Sequence, residues 1–321
     1  MPRNLPGTRA LRTFEAAARH LNFTRAAEEV GLTPAAVSHQ IKDIEQQLGV
    51  TLFVRNSRSI ALTAAGAELH RAAIEALATL QRALGRARRL DRDDRSLRLS
   101  LSARVASNWL LPRLPRFKAA HPQWALSFDI SDELRDFDAD GIDLAIRFGR
   151  GGDAGLRSER LFGLNIVAVC SPALRDAGAP LREPRDLLAR GACLSHVSWR
   201  SGSMVWPDWR QWMAAAGLDD FDDRACMAFA DASHVVQAAL DGHAVGLAEL
   251  ELIGADLAQG RLVRLFDHIV LPLAPDYAYR VVHPLSRDDD ARVVALRDWL
   301  LEEARNPDPT AGAAAARDAA D

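Results

Sequence analysis

The stretch Asn22-Phe23-Thr24-Arg25-Ala26-Ala27-Glu28-Glu29-Val30-Gly31-Leu32-Thr33-Pro34-Ala35-Ala36-Val37-Ser38-His39-Gln40-Ile41-Lys42 decides how this chain is read. Asn22 can cap a short helix carrying Thr24, Arg25 and Val30, and its Ala26-Ala27 pair permits close helix crossing. Gly31 supplies the turn. Thr33 can cap a second helix, with Pro34 at the first helical position, where a missing N–H costs nothing. Val37, Ile41, Ile44 and Leu48 then recur at spacings of four, three and four, so they share an apolar stripe. Ala35, Ser38, His39 and Lys42 fall on a different face. That face is small, hydroxylated and basic where an ordinary surface helix carries mixed Glu and Lys. Asp43, Glu45, Gln46 and Gln47 are set toward its rim or its C-terminal half. Small residues let a helix approach base edges, and Ser38, His39 and Lys42 can donate to bases or phosphates. The break Gly31-Leu32-Thr33 has the length and glycine content of a helix-turn-helix connection.

Working outward, Leu11, Phe14, Ala18 and Leu21 repeat at three, four and three, which predicts a supporting helix for a small helical core. Gly49 stops the second helix. Val50 to Leu62 then predicts two short strands around Arg55-Asn56-Ser57-Arg58-Ser59, a polar turn whose two arginines suit the minor groove or phosphates. Thr63 can cap a long helix in which Gly66, Leu69, Ala73, Ala76, Leu80, Ala83, Ala87 and Leu90 alternate at three and four, an a/d seam of about three and a half heptads. Periodicity leaves two arrangements open: pairing with a second copy, or an amphipathic helix lying on its own chain. Leu77 and Leu84 flank a seam that its alanines keep narrow.

At 321 residues the chain is long enough for two or three domains. Its net charge of −3 divides unevenly: residues 1–62 carry +3, residues 63–95 carry +2, and the remainder carries −8. A basic head on an acidic body suits a DNA binder with a separate sensing domain, because counterion release supplies affinity only where the chain meets phosphates. The N-terminus has no apolar leader and no run long enough to span a bilayer, so a cytoplasmic protein with no membrane partner is expected. Cys170, Cys193 and Cys226 are odd in number, far apart and without His or Cys at metal spacing; they read as reduced thiols, with no metal and no cofactor.

Beyond Arg95 the pattern turns to α/β. Strands are predicted over Ser96–Ser102, Ala125–Ile130, Ile142–Phe148, Leu164–Cys170, Ala192–Val197, Met227–Ala230 and Ala244–Leu250. Helices are predicted over Val105–Ala120, Pro207–Ala216, His234–Leu240 and Ala291–Ala304. Alternation of this kind argues for parallel sheets, and two such sets argue for two lobes with a ligand cleft at the strand C-termini. Trp206, Trp209 and Trp212 at helical spacing, with Trp199, suggest packing before ligand stacking. The tail from Asn306 to Asp321 has few large apolar residues and reads as disordered.

Phe14-Glu15-Ala16-Ala17-Ala18, Phe23-Thr24-Arg25-Ala26-Ala27, the run from Thr33 to Ile41, and Leu48-Gly49-Val50-Thr51-Leu52-Phe53-Val54-Arg55 together resemble the winged helix-turn-helix of LysR-type transcriptional regulators. Asn108-Trp109-Leu110-Leu111-Pro112-Arg113-Leu114, Asp143 to Gly151, Cys170-Ser171-Pro172 and Gln237 to Ala248 resemble the effector domain of the GcvA/AmpR-like branch. The likeness spans roughly Leu5 to Ala304. It departs at two positions: His39 stands where Arg is more frequent, and Pro34 where Gln is common.

The resemblance implies an α+β multidomain chain. A winged helix-turn-helix DNA-binding domain takes residues 1–62 and a linker dimerisation helix residues 63–92. A two-lobe α/β, periplasmic-binding-protein-like effector domain takes 93–305, with lobe I about 96–166 and 272–304 and lobe II about 167–271; 306–321 is the tail. It implies crossings between lobes near Asn165–Ala168 and Ile269–Leu273. Expected DNA contacts are Thr24, Arg25, Thr33, Pro34, Ala35, Ser38, His39, Lys42, Arg55 and Arg58. Expected effector contacts are Ser102, Arg104, Ser131, Asp132, Arg147, His196, Ser198, Asp231 and Ser233, whose hydroxyls and helix N–H groups suit a carboxylate, with Arg104 or Arg147 adding a charge-assisted bond. Implied partners are a pseudo-palindromic double-stranded promoter site, a small-molecule effector (amino acid, carboxylate or peptide-like), RNA polymerase, and the chain itself as a dimer or homotetramer. Other classes fit less well. An enzyme lacks a Gly-x-Ser-x-Gly, phosphate-loop or metal signature, a transport solute-binding protein needs no DNA-reading head, and an architectural DNA protein needs no acidic ligand domain.

Overall fold

The computed structural model describes residues 5–56, 59–90, 95–198, 200–201, 204–272 and 276–305. The chain divides into two compact units, one of residues up to 92 with 138–141, the other of the remainder.

In the first unit, α1 (Thr8–His20), α2 (Phe23–Val30) and α3 (Pro34–Leu48) close on a core of Phe14, Ala17, Ala26, Val37, Ile41 and Ile44. Caps set their ends. Asn22 Oδ1 accepts from the Thr24 and Arg25 amides at 2.9 and 3.1 Å, and Thr33 Oγ1 accepts from the Ala36 amide at 3.2 Å. Gly31 and Gly49 end α2 and α3 at φ 69° and 71°, a region open to glycine without steric cost. Two stripe residues leave the core: Leu21 is the left-handed C-cap of α1, and Leu48 lies in the last turn of α3, and both are exposed. β1 (Phe53–Asn56) and β2 (Ser59–Leu62) pair antiparallel, Phe53 opposite Leu62. Glu45 locks this wing to α3, its Oε1 accepting from the Leu52 and Phe53 amides at 2.7 and 3.2 Å.

α4 (Ala64–Leu90) opens on Thr63, whose Oγ1 accepts from the Gly66 amide at 2.9 Å. Its seam is not uniform. Ala73 is buried, and Leu69 packs against the core of the first unit. Further along, Ala76, Leu80, Ala83 and Ala87 are exposed. Gly66 answers a close approach rather than a helix partner: a Cβ there would stand 2.1 Å from the Leu52 carbonyl oxygen. Gly66→Ala is therefore expected to lower stability by about 1–3 kcal/mol through forced backbone movement; an unchanged urea midpoint for the first unfolding transition would contradict this packing.

The second unit holds two mixed sheets. In chain order the strands are β3 (Ser96–Leu101), β4 (Ala125–Ile130), β5 (Leu144–Gly149), β6 (Leu156–Phe162), β7 (Asn165–Cys170), β8 (Leu194–Val197), the small hairpin β9 (Arg200–Ser201) and β10 (Met204–Val205), β11 (Met227–Phe229), β12 (Val245–Glu249), β13 (Val263–Leu265), β14 (Leu271–Pro272) and β15 (Ala278–Pro284). One sheet runs β4-β3-β5-β15-β6, and the other runs β11-β8-β12-β7-β13 with β14 also on β7. The chain leaves the first sheet after β6 and returns to it as β15. Parallel pairing holds for β3 with β4 and β5 and for β8 with β11 and β12. The expectation of wholly parallel sheets is corrected: β7 runs antiparallel to β12 and β13, and β15 antiparallel to β5 and β6. These are the strands around the crossings, where the chain enters a sheet without a βαβ helix to reverse it.

The predicted helix Val105–Ala120 is also corrected. Val105–Leu110 winds as a π-helix, and a separate α5 (Leu114–Ala120) begins after Pro112, whose ring cannot continue a helical ladder. Trp209 and Trp212 are fully buried, and Trp209 Nε1 donates to the Ser195 carbonyl at 2.9 Å, so they pack the core as their spacing suggested. Burial pushes the Cys170 and Cys226 thiols up to about 11. Trp199, Arg58 and residues 306–321 lie outside the described residues, as does the side chain of Arg55.

Candidate functional site

The geometry offers two surfaces. On the first unit, Thr24, Arg25, Thr33, Pro34, Ala35, His39 and Lys42 are exposed and Ser38 is half-buried. α3 presents Ala35, Ser38, His39 and Lys42 on the side opposite Val37, Ile41 and Ile44, because three- and four-residue steps carry the two sets to different faces. His39 Nδ1 lies 2.9 Å from Asp43 Oδ2, one turn on. That contact engages Nδ1 and leaves Nε2 as the second ring nitrogen of a largely exposed side chain. The second surface is one face of α4, where Ile74, Leu80 and Leu84 are 45, 47 and 58 % exposed. Another face of its later turns is covered, with Gly85 buried against Asp138 and Arg86 and Arg89 pairing with the Asp138 carboxylate. Exposed leucines at helical spacing are what a partner helix needs.

Between the sheets of the second unit lies a cleft of about 510 Å³. Of the sequence-predicted residues, Ser102, Arg104, Asp132, Arg147, Asp231 and Ser233 line it. Ser131, His196 and Ser198 do not. The Ser131 carbonyl instead accepts from Arg147 Nη1 at 2.9 Å. His196 is buried in β8, and burial pushes its pKa down against the pull of Asp208 and Asp223. The Ser198 amide donates to the Phe229 carbonyl at 2.7 Å.

The two arginines differ in what remains of their donors. Arg147 also donates to Ser100 Oγ at 2.6 Å and the Glu133 carbonyl at 3.1 Å, which ties the loop after β4 to β5. Arg104, just after β3, forms an ion pair with Glu249 at the end of β12. Asp231 caps the helix Ala232–Leu240, accepting from the Ser233 amide and hydroxyl at 2.7 Å each; those bonds hold its carboxyl below the usual range. An aromatic wall completes the cleft. Phe148 meets Trp206 and Tyr279 at centroid distances of 5.5 and 5.3 Å.

Glu249, Trp206, Tyr279 and Asn108 were missed in the sequence. Glu249 lies inside the predicted strand Ala244–Leu250 and is the last residue of β12, so a lone carboxylate near the end of an apolar strand was the one available signal. Among the described residues, no cluster of His, Cys, Asp and Glu could hold a metal ion, and no helix is long and apolar enough to cross a membrane.

Comparison with known proteins places these features. Residues 8–67 match the family described as bacterial regulatory helix-turn-helix protein, lysR family, and residues 91–305 match the LysR substrate binding domain. The chain is 36 % identical over 304 residues to the glycine cleavage system transcriptional activator of Escherichia coli K12, covering 95 % of this chain and 96 % of that protein. It is 35 % identical over 298 residues to the transcriptional activator AmpR of Pseudomonas aeruginosa, covering 92 and 95 %. The solved effector domain of Pseudomonas aeruginosa AmpR superposes with a TM-score of 0.52 at 28 % identity, over 65 % of this chain and 96 % of that one. The lining of the cleft and the cap-defined helix pair thus sit in a chain that belongs to the LysR family, as a LysR-type DNA-binding transcriptional regulator with an effector-binding C-terminal domain.

Proposed function

We propose that this regulator acts as a dimer of heads on a pseudo-palindromic promoter site, with an occupant of the C-terminal cleft setting how the heads are spaced. The observation that carries this reading is the pairing of a small, basic face on α3 with an exposed leucine face on α4. Ala35, Ser38, His39 and Lys42 read the major groove, Thr24, Arg25, Thr33 and Pro34 approach the adjoining backbone, and Arg55 and Arg58 belong to the wing. A head of charge +3 binds weakly alone, so doubling it through α4 supplies the affinity. Dimers associate further, as tetramers, and meet RNA polymerase at the promoter.

The effector is a small molecule with a carboxylate, such as an amino acid or a short peptide. Its contacts are drawn from Ser102, Arg104, Asp132, Arg147, Asp231 and Ser233, with the Phe148–Trp206 wall against its apolar part. The protein works in the cytoplasm as an activator and catalyses no reaction. We place the head at residues 1–62, the linker helix at 63–92 and the effector domain at 93–305; the family matches, over 8–67 and 91–305, overlap this division without setting its limits. A gel shift on the promoter upstream of its own gene tests the central claim. Binding at least tenfold tighter than to a scrambled duplex of equal length is expected; equal affinity for the two would remove the regulator's proposed target.

A further inference from the structure

Arg104 and Glu249 stand out once the other charges of the cleft are accounted for. They come from opposite sheets, Arg104 from the turn after β3 and Glu249 from the end of β12, and their side chains are only 12 and 3 % exposed. A guanidinium has five N–H donors. Here Nη2 faces Glu249, while Nε and Nη1 are buried and find no acceptor among the described residues. Arg147, by contrast, directs its donors to Ser131, Ser100 and Glu133. A purely structural tie would be expected to fill the donors it buries, since each one left unmade costs free energy. Arg104 is therefore held by one carboxylate, and its other donors have no acceptor among the described residues.

We propose that Glu249 is a placeholder: it holds Arg104 across the cleft, and the carboxylate of an anionic effector takes its position on the guanidinium. An incoming carboxylate brings two acceptor oxygens in the planar arrangement that a guanidinium edge matches. The tie between the sheets then passes from Glu249 to the effector. Arg104 becomes the residue that selects an anion, and Glu249 a positioning residue acting through it. The other groups facing Glu249 are Glu251, Asp231 and Tyr279, of which the two carboxylates repel it. Burial already drives its carboxyl above the usual range, with Arg104 as the opposing influence. Once Arg104 turns away, Glu249 takes a proton from solvent, so anion binding is accompanied by proton uptake.

The proposal rests on the reading of the cleft as the effector site, and the two can fail separately. Acetate serves as the probe and acetamide as its uncharged control, titrated calorimetrically into the full-length protein in two buffers of different ionisation heat. Acetate is expected to bind the wild type with net proton uptake, and acetamide is not. Glu249→Gln is expected to bind acetate at least fivefold tighter without proton uptake, and Arg104→Gln to lose binding. Because Glu249→Gln leaves a buried guanidinium uncompensated and can unfold, Glu249→Asp is measured beside it. That variant keeps the charge but reaches one methylene less, and tighter acetate binding is again expected. Acetate binding that is absent, matched by acetamide, or no tighter in either Glu249 variant overturns the placeholder. The effector-site reading fails on a different result: a metabolite that alters promoter output while leaving amide exchange around Trp206 and Ser233 unchanged.

Discussion

Replacing Ser38 and His39 together with alanine is expected to abolish preference for the promoter site while leaving the protein folded. A well-placed side-chain contact to a base edge discriminates by about 1–3 kcal/mol, so losing two should lower the ratio of specific to non-specific affinity on the order of a hundredfold. Folding is spared because the side chain of His39 is 78 % exposed and alanine suits a helix at both positions. The substitution also removes the His39–Asp43 pair, which lies on the surface one turn apart and contributes only a few tenths of a kcal/mol. Titration of promoter and scrambled duplexes over a range of salt separates the roles. The specific affinity should fall while the salt slope, set by Lys42, Arg25 and the wing, stays close to the wild type. A retained affinity ratio would remove α3 from base reading.

Replacing Leu80 and Leu84 with aspartate is expected to give a monomer. Both leucines are about half exposed in the chain by itself, so charge there costs the single chain little; between paired helices it would bury two carboxylates per copy without partners. Sedimentation should show the dimer gone, and affinity for the whole promoter site should fall by two to four orders of magnitude, because the second head no longer binds at high effective concentration. The seam as read from periodicity alone pairs Leu69 with Leu80, but Leu69 packs into the head core and a charge there would damage folding and dimerisation together. An unchanged sedimentation profile for Leu80→Asp/Leu84→Asp would place dimerisation elsewhere.

The difference between Leu69 and Leu80 shows how far periodicity carries. Both fit one a/d repeat, since a repeat of three and four marks a shared helix face and nothing more. What covers that face changes along the helix: the first turns lie on Phe14, Leu52 and the wing, whereas at the later turns Ala76, Leu80, Ala83 and Ala87 are exposed and it is a different face, at Gly85 and Arg89, that is covered by Asp138. Gly66 was legible as a seam position for the same reason, yet its missing side chain answers the Leu52 carbonyl. Leu21 and Leu48 fitted their stripes and still lie outside the core, because each sits where its helix is ending.

The sequence by itself determined the local elements and their polarity. Asn22 and Thr33 cap, Gly31 and Gly49 stop, and the three- and four-residue steps of α3 separate Val37, Ile41 and Ile44 from Ser38, His39 and Lys42, because all of these are set by interactions within a few residues. The ordered runs from Phe14 to Arg55 and from Asn108 to Ala248 likewise carried the family and its two-lobe fold. Only the tertiary structure decided strand direction at the crossings, the face of α4 left uncovered, and the state of the cleft arginines. Arg104 and Arg147 look alike in sequence, but Arg147 is engaged by Ser131, Ser100 and Glu133, whereas Arg104 meets Glu249 from the other sheet. Donors and acceptors so far apart along the chain are matched by how the sheets face each other, and no local spacing encodes that.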